Sequence, residues 1–150
     1  MTARTDRGFA HSLPMTLLRA HEAVVLQFRP ALRRHGLNEP QWRVLRVLAE
    51  HPETTLTALG REAAILAPSL SRMLPLMESR GWIQRRTSPD DQRHGLVTIA
   101  PAGRALFDTV WSEVARTYAG MDEAFGARRL AALHEELQAL REALPRPPAV

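Results

Sequence analysis

The sequence predicts a mainly α-helical chain with one small β-hairpin, and three observations support this fold class. In the stretch 55–99, two short segments with helical spacing of apolar residues follow each other closely, and the second ends at Gly81. Two segments of β-rich composition come next, 83–87 and 96–99, separated by a loop containing Pro, Asp and Gly. Longer helical patterns flank the stretch on both sides. Two helices followed by a hairpin are typical of a winged helix-turn-helix.

The first short helix is expected to begin at Thr55, whose hydroxyl can accept a hydrogen bond from the first turn. Its apolar side has residues at helical spacing: Leu56, Leu59 and Ala63. The second helix spans 68–79 and begins with Pro68, which suits a first turn because the missing N–H would lack a helical partner there anyway. Its inward stripe is apolar: Leu70, Leu74 and Met77.

The outward face of this second helix and the hairpin carry polar and basic side chains. Ser69, Ser71 and Arg72 suit phosphates and base edges, because hydroxyls and a guanidinium donate in the right geometries. Arg85 and Arg86 follow on the first strand, and the loop contributes Asp91 and Arg93. An arginine at a hairpin tip can enter a narrow minor groove, where the negative potential is enhanced. Asp91 is expected to orient Arg93 by a charge-assisted bond; for any one arginine, a solvated turn charge is the alternative.

The stretch 55–103 resembles the DNA-binding domain of the MarR family of bacterial transcriptional regulators. The matching features are Thr55 with Leu59, the helix 68–79, L-M-E-S-R-G at 76–81, Arg85 with Arg86, D-x-R at 91–93 and P-A-G-R at 101–104. The fragments AHEAVVLQFRPAL, QWRVLRVL and AAILAPS are similar to the subgroup that controls homoprotocatechuate (aromatic acid) degradation operons. The resemblance covers roughly residues 12–144. It implies a homodimeric repressor that binds a near-palindromic operator in double-stranded DNA, through Pro68, Ser69, Ser71, Arg72, Arg85, Arg86, Asp91 and Arg93, and that a small aromatic acid releases.

Two positions depart from the family pattern. Pro75 lies inside the second helix of the motif, where it removes a bond to the Ser71 carbonyl and should kink or loosen the turn, at a cost of roughly 3 kcal/mol if unrelieved. It lies off the buried stripe, so the core should be unaffected. Ala100 stands where the family usually has a threonine that caps the next helix, and an alanine cap typically gives up about 1 kcal/mol.

The flanking segments predict further helices. The first is expected to start near Ser12 and to run to His35-Gly36, with a kink or break near 27–28 because Pro30 follows. Its apolar stripe steps at helical spacing: Leu18, His21, Val25, Phe28 and Leu32. A second helix starts at Asn38 with Trp42, Leu45, Val47 and Leu48 inward, and two more are expected at 101–126 and 127–144.

These helices define the expected domain organisation. Residues 37–100 form the winged helix-turn-helix, and 12–36 with 101–144 form a helical dimerisation region. The apolar stripes of 101–126 and 127–144 lack enough intrachain partners once the winged domain is closed, so they are expected to pack with the first helix of a second subunit. A monomeric intrachain bundle is the alternative, and it would leave the first helix half uncovered.

The resemblance implies a pocket for aromatic carboxylates between the dimer helices and the DNA-binding domain. The candidate effector-binding residues are Arg19, His21, Trp42, Arg43 and Arg46. A guanidinium forks onto a carboxylate, and an indole can wall an aromatic ligand. Each has a plainer explanation: His21 as a core histidine bonded to a backbone carbonyl, Trp42 as a core residue, and the arginines as surface charges.

Composition excludes several function classes. The net charge of +4 is compatible with a polyanionic partner, and all 20 basic residues are arginines. There is no cysteine, which excludes disulfides and thiol-based sensing. No catalytic motif and no metal-ligand spacing occur, so no enzyme activity, metal or cofactor is expected. Without a membrane span or signal sequence, we expect the protein to be located in the cytoplasm.

The alternative to a DNA-binding regulator is a winged-helix protein-interaction module without DNA binding, which only Pro75 favours.

Overall fold

The computed structural model describes residues 12–87 and 95–145. These residues form helices and strands in the order α1 (Leu13–Arg34), α2 (Glu39–Glu50), β1 (Glu53–Thr55), α3 (Leu56–Glu62), α4 (Ala67–Ser79), β2 (Ile83–Arg86), β3 (Leu96–Ile99), α5 (Pro101–Phe125) and α6 (Ala127–Ala143). The predicted class, mainly α-helical with a small β-hairpin, is confirmed.

Capping side chains explain where the first helices begin. The Ser12 hydroxyl accepts from the Met15 N–H at 3.4 Å and caps α1. The Asn38 side chain accepts from the Gln41 N–H at 2.9 Å, and the Gln41 side chain accepts in return from the Asn38 N–H at 3.0 Å. This reciprocal pair is a capping box. The starts predicted for these helices are confirmed.

Both internal prolines lie within uninterrupted helices. Of the kink or break predicted before Pro30, the break is wrong, because α1 is a single element from Leu13 to Arg34. Its buried neighbours Phe28 and Leu32 anchor the helix on both sides of the proline, and this packing offsets the missing hydrogen bond. Pro75 is exposed and lies off the buried stripe of α4, as predicted.

The hairpin is part of a three-stranded antiparallel sheet with the order β1-β3-β2. Glu53 of β1 lies opposite Thr98, and Arg85 and Arg86 of β2 lie opposite Val97 and Leu96. The sequence did not predict β1, because three residues are too short to show an alternating pattern. β1 therefore adds a third strand beside the expected hairpin.

The core of the winged region consists of fully buried side chains from α2, α3, α4 and the sheet: Leu45, Leu48, Leu59, Leu74, Met77, Ile83 and Val97. Five of them were predicted to face inward, and the predicted inward residues Trp42 and Leu70 are buried as well. Val47, predicted to face inward, is only half-buried, and Val44 takes the inward place instead.

Two glycines have positions that a side chain would disturb. Gly81 has φ +73° and ends α4, in the left-handed region where glycine is not strained. Gly103, in the first turn of α5, faces the backbone of Trp82, and a Cβ there would lie 2.0 Å from the Trp82 carbonyl oxygen. The same oxygen accepts the Ala100 N–H at 3.0 Å. The start of α5 is therefore in direct backbone contact with the start of β2.

The chain divides into two compact units, residues 1–113 and 114–150. In the first, the α1 side chains Leu13, Leu18, Val24 and Leu26 are exposed, and so is His21. In the second, α6 has no buried residue, and its exposed side chains include Leu133 and Leu137. Among the described residues, none of the helices meets the length and hydropathy of a membrane span.

Within the first unit, Glu113 of α5 joins the end of α1. Its carboxylate contacts Nε2 of His35 at 2.8 Å and accepts from Nε of Arg34 at 3.1 Å. These two partners, His35 first, lower the pKa of Glu113 from 4.5 to about 2. The charged form is therefore the one that the folded state favours.

The depressed pKa of Glu113 predicts a stability change in acid. The contribution is complete above about pH 5, where the unfolded group is also ionised, and is lost as the pH falls from there toward about 2. Urea unfolding midpoints measured between about pH 7 and about pH 3 should fall less steeply in Glu113→Gln than in the wild type. Glu123→Gln, an exposed glutamate of the same helix, is the control and should keep the wild-type slope. Equal slopes in all three proteins would contradict this assignment.

Candidate nucleic-acid interface and ligand site

The outward face of α4 presents the predicted polar side chains. Ser69, Ser71 and Arg72 are exposed, and so is Pro68 in the first turn. The helix starts at Ala67, one residue before the predicted start. Behind this face, the inward stripe is buried to at least 97%: Leu70, Leu74 and Met77. Because the stripe fixes the rotation of the helix, the polar side chains are held toward solvent together.

Arg85 is held by a carboxylate of α4. Both oxygens of Glu78 accept from its guanidinium, Oε2 from Nε and Oε1 from Nη2, each at 3.2 Å. Oε2 also accepts the backbone N–H of Arg85 at 3.0 Å. The hydrogen bond from the Arg85 guanidinium is the main cause that lowers the pKa of Glu78. Glu78 was not predicted as part of the interface.

Arg86 is held on the other side of the sheet. Its Nη2 lies 2.6 Å from Oε2 of Glu53 in β1, and both side chains are largely exposed. Glu53 is 33 residues away in sequence and lies in the strand that was not predicted. The two arginines predicted to hold phosphates therefore each contact a carboxylate already. Asp91 and Arg93 of the predicted wing tip lie outside the described residues.

An aromatic stack surrounds one of the predicted ligand residues. Trp42 of α2 is buried and stacks on Phe107 of α5, with 5.1 Å between ring centroids and 15° between planes. Trp111 extends the stack at 5.8 Å from Phe107 and 6.5 Å from Trp42. The guanidinium of Arg46 lies over Trp111, 5.3 Å from the ring centroid. This brings a cation and three near-parallel aromatic rings together in the first unit.

Arg43 has a different environment. Its Nη1 donates to the carbonyl oxygens of Ala63 at 2.8 Å and Ala64 at 3.0 Å. Its Nε forms an ion pair with Glu39 at 2.9 Å. Ala64 has φ +51°, so Arg43 supports a strained turn between α3 and α4. These contacts hold Nη1 and Nε of Arg43 against the folded chain and give Arg43 a structural role.

The remaining predicted ligand residues lie on α1. Arg19 and His21 are both exposed, so the alternative of a core histidine does not hold for His21 within one chain. Neither joins the aromatic stack. Arg43 and Arg46 line a shared cleft of about 250 Å³ together with Glu50 and His51. No group of three or more metal-binding side chains occurs in the ranges that the structure covers.

Comparison with known proteins identifies the family of this chain. The pattern of the MarR family matches residues 37–94. The homoprotocatechuate degradative operon repressor of Escherichia coli is 35% identical over 127 residues, which are 85% of this chain and 86% of that protein.

Two solved structures are similar to the whole fold. NadR in complex with 4-hydroxyphenylacetate superposes with a TM-score of 0.79 at 29% identity, covering 96% of this chain and 100% of NadR. The repressor CouR bound to a 23-mer DNA duplex superposes with a TM-score of 0.80 at 26% identity, covering 94% and 99%. With a relative of this identity and coverage, the chain belongs to the MarR family of transcriptional regulators.

Proposed function

We propose that this chain is a homodimeric DNA-binding repressor that a small aromatic carboxylate releases from its operator. The observation that carries the proposal is the exposed polar face of α4, held outward by a fully buried stripe. CouR, which has the same fold, is bound to a DNA duplex. In the proposed complex, Pro68, Ser69, Ser71 and Arg72 meet the major groove.

The sheet side supplies the phosphate and minor-groove contacts of the proposal. Arg85 and Arg86 hold phosphates next to the major groove. Arg93 enters the adjacent minor groove, and Asp91 orients it. Two α4 helices related by a twofold axis need half-sites about one helical turn apart, ~34–36 Å, so the operator is a near-palindrome.

The proposed dimer uses the helices whose apolar side chains are exposed. α6 has a leucine stripe but no buried residue, and α1 exposes Leu13 and Leu18 to about half of their area. A helix with an uncovered apolar stripe is stable when a partner covers it. We assign 12–36 and 101–144 to the dimerisation region and 37–100 to DNA binding.

The proposed effector is an aromatic carboxylate, because a cation and aromatic rings lie together at Arg46 and the Trp42–Phe107–Trp111 stack. NadR, with the same fold, is in complex with 4-hydroxyphenylacetate. Arg46 is the proposed carboxylate partner, because its guanidinium lies over the Trp111 ring of the stack. Arg19 and His21 belong to the proposal as polar groups of the exposed α1 surface. Binding shifts the population toward a dimer whose α4 helices no longer match the half-sites.

Fluorescence anisotropy on a duplex that the protein selects from a random-sequence pool tests the proposal. The logarithm of the association constant should fall linearly with the logarithm of the salt concentration, with a slope of about −0.9 for each phosphate contact. Added 4-hydroxyphenylacetate should release the duplex. Failure to select any duplex at low salt would refute DNA binding and favour the protein-interaction module. Selection without release by any aromatic acid would refute the effector alone.

Arg46→Gln should raise the concentration of 4-hydroxyphenylacetate needed for half-release by about tenfold or more, the size of one hydrogen bond to a charged group. Duplex affinity without the acid should stay unchanged, because Arg46 is not on the α4 face. The uncharged 4-hydroxyphenylacetamide is the matched control. The amide should release the duplex equally weakly from the wild type and the variant, because it has no carboxylate for the Arg46 guanidinium to bind. A half-release concentration unchanged by the substitution would remove Arg46 from the site.

A further inference from the structure

The two arginines of β2 are held by carboxylates in different ways. Neighbouring strand residues point to opposite faces, so Arg85 faces α4 and Arg86 faces away from it. Glu53 contacts Arg86 by one Nη2–Oε2 approach of 2.6 Å, with the Arg86 side chain 66% exposed. Glu78 contacts Arg85 through both carboxylate oxygens and also binds its backbone N–H, with the Arg85 side chain 37% exposed.

The Glu78 contacts fix the direction of the Arg85 guanidinium. Nε and one N–H of Nη2 are used on the carboxylate, which leaves three N–H groups of the five for an outside acceptor. Glu78 lies in the last turn of α4, the helix that presents Ser69 and Arg72. The outward N–H groups therefore have a fixed position relative to the face of that helix.

We propose that Glu78 is a positioning residue for operator specificity: by fixing the Arg85 guanidinium relative to α4, it allows the phosphate contact only at the register where α4 reaches the bases. The inference rests on the proposed function. Phosphate contacts set register and orientation, while base contacts carry the sequence information. A freely moving arginine can contact a phosphate in any register and so adds to the affinity for every duplex. A fixed arginine adds to the affinity only in the register where α4 contacts the bases.

The proposal predicts that removing the Glu78 carboxylate changes the ratio of operator to scrambled-duplex affinity. Simple electrostatic repulsion predicts that this ratio stays the same. A carboxylate near phosphates weakens binding to every duplex, so its removal alone raises affinity for all sequences alike. Glu53→Gln is the matched control, because it makes the same charge change on the same sheet, where one contact leaves Arg86 largely exposed. It should raise the affinities for operator and scrambled duplex by the same factor.

The experiment compares two duplexes: one selected from a random pool by the wild-type protein, and a scrambled duplex of equal composition. Glu78→Gln should lower the ratio of the two affinities by about tenfold, the size of one charged hydrogen bond, with the scrambled duplex bound no more weakly than by the wild type. Arg85→Ala should lower the ratio too. Adding Glu78→Gln to Arg85→Ala should lower it no further, because the effect passes through the guanidinium.

A Glu78→Gln protein that binds both duplexes more tightly by one factor, as Glu53→Gln should, would overturn the proposal. An equal fall of the ratio in the Arg85→Ala background would overturn it as well. Glutamine can still accept the Arg85 backbone N–H, so the fold should persist in a thermal melt. If Glu78→Gln does not fold, Arg85→Lys is the second variant, because it keeps the positive charge but cannot bind both oxygens of Glu78 as a guanidinium does. An unchanged affinity ratio in Arg85→Lys would overturn the proposal. If the wild type selects no duplex, the proposed function itself fails, and the inference with it.

Discussion

Gly103→Ala is expected to destabilise the protein by about 3 kcal/mol, the upper range for a forced contact in a packed site. The added Cβ would lie 2.0 Å from the carbonyl oxygen of Trp82 and 2.8 Å from its carbonyl carbon. These are backbone atoms, so relief requires moving the start of β2 away from α5. The Trp82 oxygen also accepts the Ala100 N–H at 3.0 Å, and such a movement would stretch that bond.

Gly120→Ala is the control for this substitution. Gly120 lies in the same helix, and nothing lies within 4 Å of a Cβ added there. Alanine should therefore stabilise by about 0.5–1 kcal/mol through its better helix propensity. Urea unfolding followed by circular dichroism measures the free energy of unfolding of both variants. If the two variants changed stability in the same direction, the close approach at Trp82 would not be what demands a glycine at residue 103.

The parts of the fold that follow from short-range chemistry could be predicted from the sequence. Ser12, Asn38 and Thr55 mark helix starts because a side-chain oxygen binds an N–H three residues on. Gly81 marks a helix end because its φ is positive. The inward stripe of α4 follows from the spacing of its apolar residues.

The parts that depend on long-range partners could not be predicted. β1 has three residues and is defined by its pairing with β3, more than forty residues later. Glu53 and Glu78 carry no local signal of the arginines that they bind, because one contact forms only when β1 joins the sheet and the other only when α4 packs beside β2. Pro30 shows the same limit: of the expected kink or break the break does not occur, because the tertiary packing of Phe28 and Leu32 outweighs a local preference.

Long-range contacts also give the predicted ligand residues Arg43 and Arg46 different roles. Arg43 and Arg46 look alike in sequence, three residues apart on one helix. In the folded chain, Arg43 binds two carbonyl oxygens of the α3–α4 turn, while Arg46 lies over Trp111. Only the turn at Ala64, with its positive φ, explains why one arginine became structural. A guanidinium's role is set by the acceptors that folding brings to it.

Arg72→Ala should lower affinity for the selected duplex by about 5- to 150-fold, the equivalent of about 1–3 kcal/mol for one bidentate base contact. Arg72 is exposed in the middle of the α4 face, where it is expected to reach a base edge. Affinity for the scrambled duplex should fall much less. Melting temperature should not change, because no ion pair or hydrogen bond of Arg72 is seen in the part of the chain that the structure covers.

Arg61→Ala provides the matched control, since it removes the same charge from an exposed site on the neighbouring helix α3. Its loss should be small and similar for both duplexes, as a general electrostatic effect is. Anisotropy titrations of both variants at one salt concentration make the comparison. Equal losses on the two duplexes for Arg72→Ala would make Arg72 a phosphate contact instead of a base reader. Sequence reading would then rest on the serines and apolar side chains of α4, with the arginines serving only to set its register.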